Sequence, residues 1–262
     1  MTRFRWIEIG ISVAFFIVTL LLWDLSVRFF KVPAYLVPAP LSVGLALVDG
    51  LVNGTFYPHI AATLYAVVVG YLVGCFLAIV IGALLAEVPI IERALMPYIV
   101  ALQSMPKVAL APLIIVWFGF GIASKVVLVA LICFFPVFIN TLVGIRSVNS
   151  DIVNLYRAFS ASRWNILLNV KLPAAASSIF AGLQISVAMA LIGAVVGEFI
   201  ASKAGLGNLL QASSMTMDVA TMFAVVIVLA AIGVAGNQIL QYLHHKVVFW
   251  ENRTHVAATE GT

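Results

Sequence analysis

The chain has 262 residues, of which 64% are hydrophobic and only 9% charged, with a mean hydropathy of +1.17. So little polar surface cannot enclose a soluble core of this size, which excludes a soluble globular domain and predicts an all-α, polytopic membrane protein. The formal charge of +4 is what basic loops on one side of a bilayer supply, and it is no signature of nucleic-acid binding.

Arg3 and Arg5 precede an apolar run from about Ile7 to Leu25. No small-residue cleavage site follows promptly, and Asp24 is followed by Arg28 and Lys31, so the run reads as a first membrane helix and not as a signal peptide. Residues 26–58 are punctuated by Pro and Gly and form an extracytoplasmic loop with a short helix from Pro40 to Leu51. The second span runs from about Ile60 to Ala86. Along it Gly70, Gly74, Ala78, Gly82 and Ala86 recur every four residues, a groove into which a neighbouring backbone can pack closely.

A short EVPIIER turn leads to the third span, Ala94 to Phe118, which is interrupted by Pro97, Pro106 and Pro112 and carries Gln103, Ser104 and Lys107. Proline is tolerated in a membrane helix where water or neighbours meet the freed backbone groups, so this span is expected to line a cavity. The fourth span, Lys125 to Ile145, ends at Arg146. The fifth, Ala174 to Ile200, carries Gly182, Ser186, Ala190 and Ala194 on one stripe, with Glu198 next along it. ASKAGLGNLLQASSMTMD reads as a loop, the sixth span runs from Val219 to Leu243, and HHKVVFWENR opens a polar tail.

Six spans place both termini on one side. Arg3, Arg5, Arg93, Arg146, Arg157, Arg163, Lys171, Lys246 and Arg253 fall there, against Arg28, Lys31, Lys125 and Lys203 opposite, which predicts cytoplasmic termini. The chain divides into a first helix with its loop (1–58), a five-helix core (59–246) and a cytoplasmic tail (247–262). Cys75 and Cys133 sit deep in apolar runs as packing residues, and His59, His244, His245 and His255 lack metal-ligand spacing, so no metal site is expected.

The longest polar interval is 147–173, SVNSDIVNLYRAFSASRWNILLNVKLP. Two short helices can be drawn in it. Ser150 caps the first, with Ile152, Leu155 and Phe159 on one face; Ser160 or Ser162 caps the second, with Ile166, Leu167 and Val170 together and Pro173 as the stop. Such an apolar face either inserts into a groove of a partner or lies on the bilayer, and both readings stay open.

Phosphate-loop, metalloprotease and Gly-x-Ser-x-Gly motifs are all missing, so no catalytic residue is assigned, and ATP, if it drives this protein, is hydrolysed by another chain. An ATP-independent secondary transporter is disfavoured because Glu8, Asp24, Glu198 and Asp218 lie near helix ends, whereas coupled carriers place ionisable groups near the midplane. A structural membrane subunit would leave the polar residues of the third span without a task. Lys107 is charged near mid-span, a cost of about 2.5 to 3.5 kcal/mol unless water or an anion offsets it. It either faces a solute pathway or snorkels beside a kink. Gln103, Ser104, Asn140 and Gln184 line the same cavity or make interhelical hydrogen bonds, and Glu198 stands at an outer gate or at a solvated helix end.

YRAFSASRWNILLNVKLPAA resembles the Glu-Ala-Ala loop of the membrane subunits of binding-protein-dependent ATP-binding-cassette importers, whose pattern is Glu-Ala-Ala, three residues, Gly, nine residues, Ile-x-Leu-Pro. ALQSMPKVALAPLIIVWFGFG and LIGAVVGEFIASKAGLGNLL are similar to the branch handling nitrate, sulfonates, taurine, bicarbonate or pyrimidine precursors, and the resemblance covers about residues 59 to 250. It implies a type I importer permease fold with six transmembrane helices in a bacterial cytoplasmic (inner) membrane. It also implies a homodimer of this chain among membrane lipid, two ATPase subunits that use ATP and Mg, and a soluble substrate-binding protein; no cofactor belongs to this chain. Ala161, Ser162, Arg163, Trp164, Leu172 and Pro173 match the loop pattern, so Asn154, Leu155, Arg157, Phe159, Ser160, Ala161, Ser162, Arg163 and Pro173 are the implied ATPase-coupling residues. Two positions depart: Asn154 stands for Glu and Ser160 for Gly, the latter expected to make its bend as an N-cap in the extended region.

Overall fold

The computed structural model describes residues 2–250, so most of the expected polar tail, 251–262, lies outside the described residues. Among the described residues there are helices and turns and no strand. Five helices are long and apolar enough to cross a membrane: α1 (Thr2–Phe29), α3 (Tyr57–Ala86), α6 (Ile122–Arg146), α10 (Ala176–Ala201) and α12 (Val219–Val247). Between α1 and α3, α2 (Pro40–Val52) starts with proline in its first turn after the extended Ala39 and ends close to the expected Leu51.

The third expected span is not one rod. α4 (Pro89–Ser104) stops at Met105, held extended by the proline that follows it, and a 3₁₀ turn over Lys107–Leu110 leads into α5 (Ala111–Phe118). The two arms meet at 84°. Pro97 is carried inside α4 and Pro112 sits in the first turn of α5, where its missing N–H costs nothing, so Pro106 makes the break.

α6 is the centre of the bundle, flanked by α3 on one side and α10 on the other. Val129, Cys133 and Val137 on α6 are fully buried, as are Ala78 on α3 and Ala190 and Ala194 on α10. The small-residue stripes make this approach possible. A Cβ at Gly70 would lie 2.6 Å from that of Val129, one at Gly74 2.8 Å from the Ala130 Cα, and one at Gly182 3.0 Å from the Val137 Cα. Polar groups lock the same contacts: Ser186 Oγ donates to the Cys133 carbonyl at 3.1 Å, and Tyr71 OH donates from α3 to the Leu183 carbonyl of α10 at 3.0 Å. Cys75 and Cys133 are buried free thiols in this core.

α5 rests on α6 through Ala111 and Ile114 against Leu128 and Ile132. α1 buries none of its apolar window and touches the bundle lightly, with Trp23 5.6 Å from the Phe223 ring. The stretch read as a loop after the fifth span contains a further helix, α11 (Leu206–Met215), which packs with α2 and Phe56 against Ala224, Val225 and Val228 of α12. The glycines of GLG start this helix close against α10: a Cβ at Gly207 would meet the Val195 carbonyl at 2.8 Å.

Gly74→Leu and Ser186→Leu are each expected to lower the yield of folded, monodisperse protein severalfold, because neither the Ala130 backbone nor the Cys133 carbonyl can retreat from a branched side chain. Fluorescence-detected size exclusion measures the outcome; wild-type profiles from both would place these stripes outside the packing contact.

Candidate functional site

The 147–173 loop folds as a compact helix pair. In α7 (Ser150–Ala158) the N-cap is Asn149 and not Ser150: its side chain accepts the Asp151 N–H at 2.8 Å. α7 closes in a Schellman turn, with the Ser160 N–H on the Arg157 carbonyl and the Ala161 N–H on the Tyr156 carbonyl, at 2.9 and 3.0 Å. Ser160 therefore takes the left-handed conformation, φ +60°, and not the extended one expected of an N-cap. The cap of α8 (Arg163–Ile166) is Ser162, which accepts the Asn165 N–H at 3.2 Å.

Pro173 does not stop the second helix. A π turn over Leu167–Lys171 absorbs the missing donor, and the helix runs on through α9 (Leu172–Ala174) almost directly into α10. The inner face of the pair is packed: Val153, Ile166 and Val170 are buried together with Val148 and Ala161. The outer face is bare, with Leu155 56%, Phe159 79% and Trp164 60% exposed. Ala161 thus faces inward, away from Phe159; Asn154, Arg157, Ser162 and Arg163 are exposed and Pro173 is half-buried.

One ion pair fastens the loop to the bundle and a second braces the helix that leads into it. Lys171 Nζ lies 2.5 Å from Glu87 Oε1, and Arg146 at the end of α6 pairs with the buried Glu92 of α4. Both acids belong to EVPIIER, which the sequence reading passed over as a turn; acids directly opposite a basic loop were the available signal.

The pathway candidates do not form one cluster. Gln103, Ser104 and Lys107 stand together at the break between α4 and α5. Gln103 and Ser104 are exposed, while Lys107 is half-buried. Lys107 Nζ donates to the Gln103 carbonyl at 2.9 Å, capping the open end of α4, and lies 4.9 Å from the centre of the Phe135 ring. Asn140 points elsewhere, donating to the Pro136 carbonyl at 2.8 Å and packing beside Gly182 of α10. Gln184 lines a separate groove between α10 and α12 that it shares with Asn237.

Glu198 is not solvated: it is fully buried at the far end of α10. One carboxylate oxygen accepts from Thr63 Oγ of α3 at 2.8 Å and the other from the Gly207 N–H at 2.7 Å, while Thr63 Oγ itself accepts the Leu206 N–H at 2.8 Å. A carboxylate on one helix thereby caps the free N–H groups of another, where the helix dipole also favours it. Gly205 makes the turn with φ +133°, and any Cβ there would collide with the Glu198 carboxyl. His59 contacts Gly205 through Nδ1, and Lys125 Nζ donates to Ser202 Oγ at 2.5 Å. Among the described residues no three His, Cys, Asp or Glu side chains assemble as a metal-ligand set.

Comparison with known proteins gives one consistent result. A family model for the inner membrane component of binding-protein-dependent transport systems matches residues 78–249. The chain is similar to the riboflavin transport system permease protein of Chloroflexus aurantiacus, at 36% identity over 95% of this chain and 92% of that one. It is also similar to the formylaminopyrimidine transport permease protein of Halalkalibacterium halodurans, at 31% over 91% and 95%. The taurine transport system permease protein of Escherichia coli is 27% identical over 95% and 93%.

A left-handed residue with a Cβ costs about 1 to 2 kcal/mol relative to glycine. Ser160→Gly is therefore expected to stabilise the turn between α7 and α8, seen as roughly tenfold slower hydrogen exchange at Ser160 and Ala161; exchange unchanged or faster would mean that the serine is not strained there.

Proposed function

The chain belongs to the inner membrane components of binding-protein-dependent transport systems, as the permease subunit of an ATP-driven importer and not itself an enzyme, and on that premise we propose which of its residues couple and conduct. A permease of this kind is a multi-pass protein of the inner membrane that works with an ATPase and a substrate-binding protein. The ATPase docks on the outer face of the α7–α8 pair, through Leu155 and Phe159 with Asn154, Arg157, Ser162 and Arg163 around them. Ser160, Ala161 and Pro173 hold the backbone shape that presents them. One observation carries this reading: a helix pair packed on its inner face and pinned by the Lys171–Glu87 ion pair leaves Leu155, Phe159 and Trp164 bare on the other.

The solute path runs past the break between α4 and α5, with Gln103, Ser104 and Lys107 on its wall. Gln103 and Ser104 lie on an open surface of the single chain, so enclosing a solute requires a second wall, which supports a homodimer with two ATPase subunits that use ATP and Mg. Asn140 and Gln184 act from behind this wall, in helix packing. Glu198 shapes the far gate by holding α11 and does not touch solute. Of the first helix and its loop, 1–58, α1 touches the core 59–246 only lightly, whereas α2 and Phe56 pack onto α11 and α12. The excess of Arg and Lys on the loop side supports cytoplasmic termini and a cytoplasmic 147–173 loop, with the tail 247–262 on that side.

The proposed solute is small and polar or anionic: a sulfonate, taurine, nitrate, bicarbonate or a pyrimidine-type heterocycle. The relatives named for taurine and formylaminopyrimidine support that class, and a cation on the proposed path suits an anion or a ring carbonyl. An ATP-independent carrier is not favoured, since the buried Glu198 and Lys125 are engaged at helix ends.

Two substitutions test the proposal. Phe159→Asp should leave the protein inserted yet abolish co-purification of the ATPase, because a docked carboxylate would be buried without a partner and the apolar contact, about 1.5 to 3 kcal/mol for Phe, would be lost. Pull-down of the ATPase at wild-type yield with normal uptake would favour a helix pair lying on the bilayer instead. Lys107→Met should reduce uptake about tenfold while assembly and basal ATP hydrolysis persist; unchanged uptake would confine Lys107 to capping α4.

A further inference from the structure

Between the loop and the ends of α3 and α6 lies a pocket of about 220 Å³, whose walls include Asn154 and Arg157 from the border of the proposed docking face. That volume equals about seven water molecules at roughly 30 Å³ each, enough for a tetrahedral oxyanion with a short ester arm and too little for a nucleotide. Arg146, Ser150, Asn154, Arg157 and Lys171 form its polar walls, and the last residue of α3, Ala86, lies in its apolar floor.

Three cations line the pocket and no acid does. Arg146 and Lys171 are held by Glu92 and Glu87, which stand outside the lining, but Arg157 has no carboxylate within ion-pair distance among the described residues. The cluster therefore carries one positive charge in excess. Ser150 adds a hydroxyl at the first residue of α7, and Asn154 adds an amide donor. Asp151, in the same turn, is exposed and does not line the cavity.

We propose that this pocket binds a phosphate-bearing anion through Arg157, Ser150 and Asn154, with Arg146 and Lys171 as flanking cations. Its position selects the source. α3 ends at Ala86 and α6 at Arg146, so the pocket opens at the level where these spans leave the bilayer, and basic pockets at that level on the cytoplasmic side take anionic headgroups. The assignment to the inner leaflet rests on the orientation proposed above; the binding itself does not, and because Asn154 and Arg157 also border the proposed docking face it is measured on the chain without the ATPase.

The test uses the full chain in nanodiscs. In one arm, native mass spectrometry compares retention of phosphatidylglycerol with that of phosphatidylcholine. In the other, inorganic phosphate is titrated by calorimetry into phosphatidylcholine nanodiscs. Wild-type protein should bind in at least one arm. Arg157→Gln, which removes the unpaired cation, and Asn154→Glu, which neutralises it from within, should each weaken binding about tenfold. Arg93→Gln removes an exposed cation outside the pocket and should not. Preferential retention of phosphatidylglycerol assigns the site to lipid, and phosphate binding without that preference assigns it to a free ion. Binding unchanged in both pocket variants, or lost equally in Arg93→Gln, overturns the proposal. No binding in either arm, combined with loss of ATPase co-purification from Arg157→Gln, overturns it in favour of an acidic side chain of the ATPase.

Discussion

The closeness of α6 to α3 and α10 is the constraint on which the rest of the structure depends. Inside a bilayer an apolar side chain gains nothing by leaving lipid for protein, so helices associate through dispersion at short range and through interhelical hydrogen bonds. The glycines of α3 and α10 bring backbones near enough for both, and the Ser186–Cys133 and Tyr71–Leu183 bonds become possible only at that separation. Whatever else the protein presents is mounted on this sandwich. α5 leans on Leu128 and Ile132 of α6, and Lys107 finds the Phe135 ring on the same helix. The break in the third span can stay open because its support lies in a neighbouring helix and not in its own hydrogen-bond ladder.

Charged groups then pin both ends. A buried carboxylate left alone would cost several kcal/mol, so Glu92 and Glu198 can be buried only where fixed donors meet them. Glu92 finds Arg146, which ties the foot of α4 to the foot of α6; Glu87 holds Lys171 and so ties the loop to α3. At the far end Glu198 gathers Thr63 and the first turn of α11. These contacts fix the register of the bundle at its two rims, as the Ser186–Cys133 and Tyr71–Leu183 bonds do between them.

Most of the fold was legible because it follows from local pattern. Apolar length marks the spans, a four-residue interval of small residues marks the packed faces, and Pro97, Pro106 and Pro112 mark an interrupted span, although only the structure shows that the break falls at Pro106 and turns the chain through 84°. What escaped depends on partners distant in sequence. Glu198 looks like the solvated end of a helix until Thr63, 135 residues earlier, is seen beside it. LGNLLQASSM carries a weak helical pattern, and its helix is secured by a cap supplied from α10. Ser160 misled for a different reason: serine is a strong N-cap former, and nothing local announces that a Schellman turn will take the preceding helix through it. In the loop the apolar residues were read as one kind of surface. Packing divides them, with Val153, Ile166 and Val170 inside and Leu155, Phe159 and Trp164 outside.

The division of the loop into a packed and a bare face bears on how force could pass through it. Burying Leu155, Phe159 and Trp164 against a partner would contribute about 1.5 to 3 kcal/mol each, enough to hold the ATPase. Docking energy that is the same in both transport states shifts nothing, however large it is; moving a two-state equilibrium from about 1:99 to 99:1 needs roughly 5.5 kcal/mol of difference. The bare face is therefore suited to gripping, and in the proposed coupling the difference would arise from nucleotide-dependent closure of the ATPase. For that closure to act on the membrane the loop must not give way beneath its grip. The Glu87–Lys171 and Glu92–Arg146 pairs, the buried inner face and the nearly continuous helix from Arg163 into α10 supply that stiffness, and the same α10 ends at the carboxylate that caps α11. A displacement applied at Phe159 would cross the turn into α8 and then follow a nearly continuous helix to the carboxylate that caps α11, whereas a loop tethered only by its two ends would dissipate it.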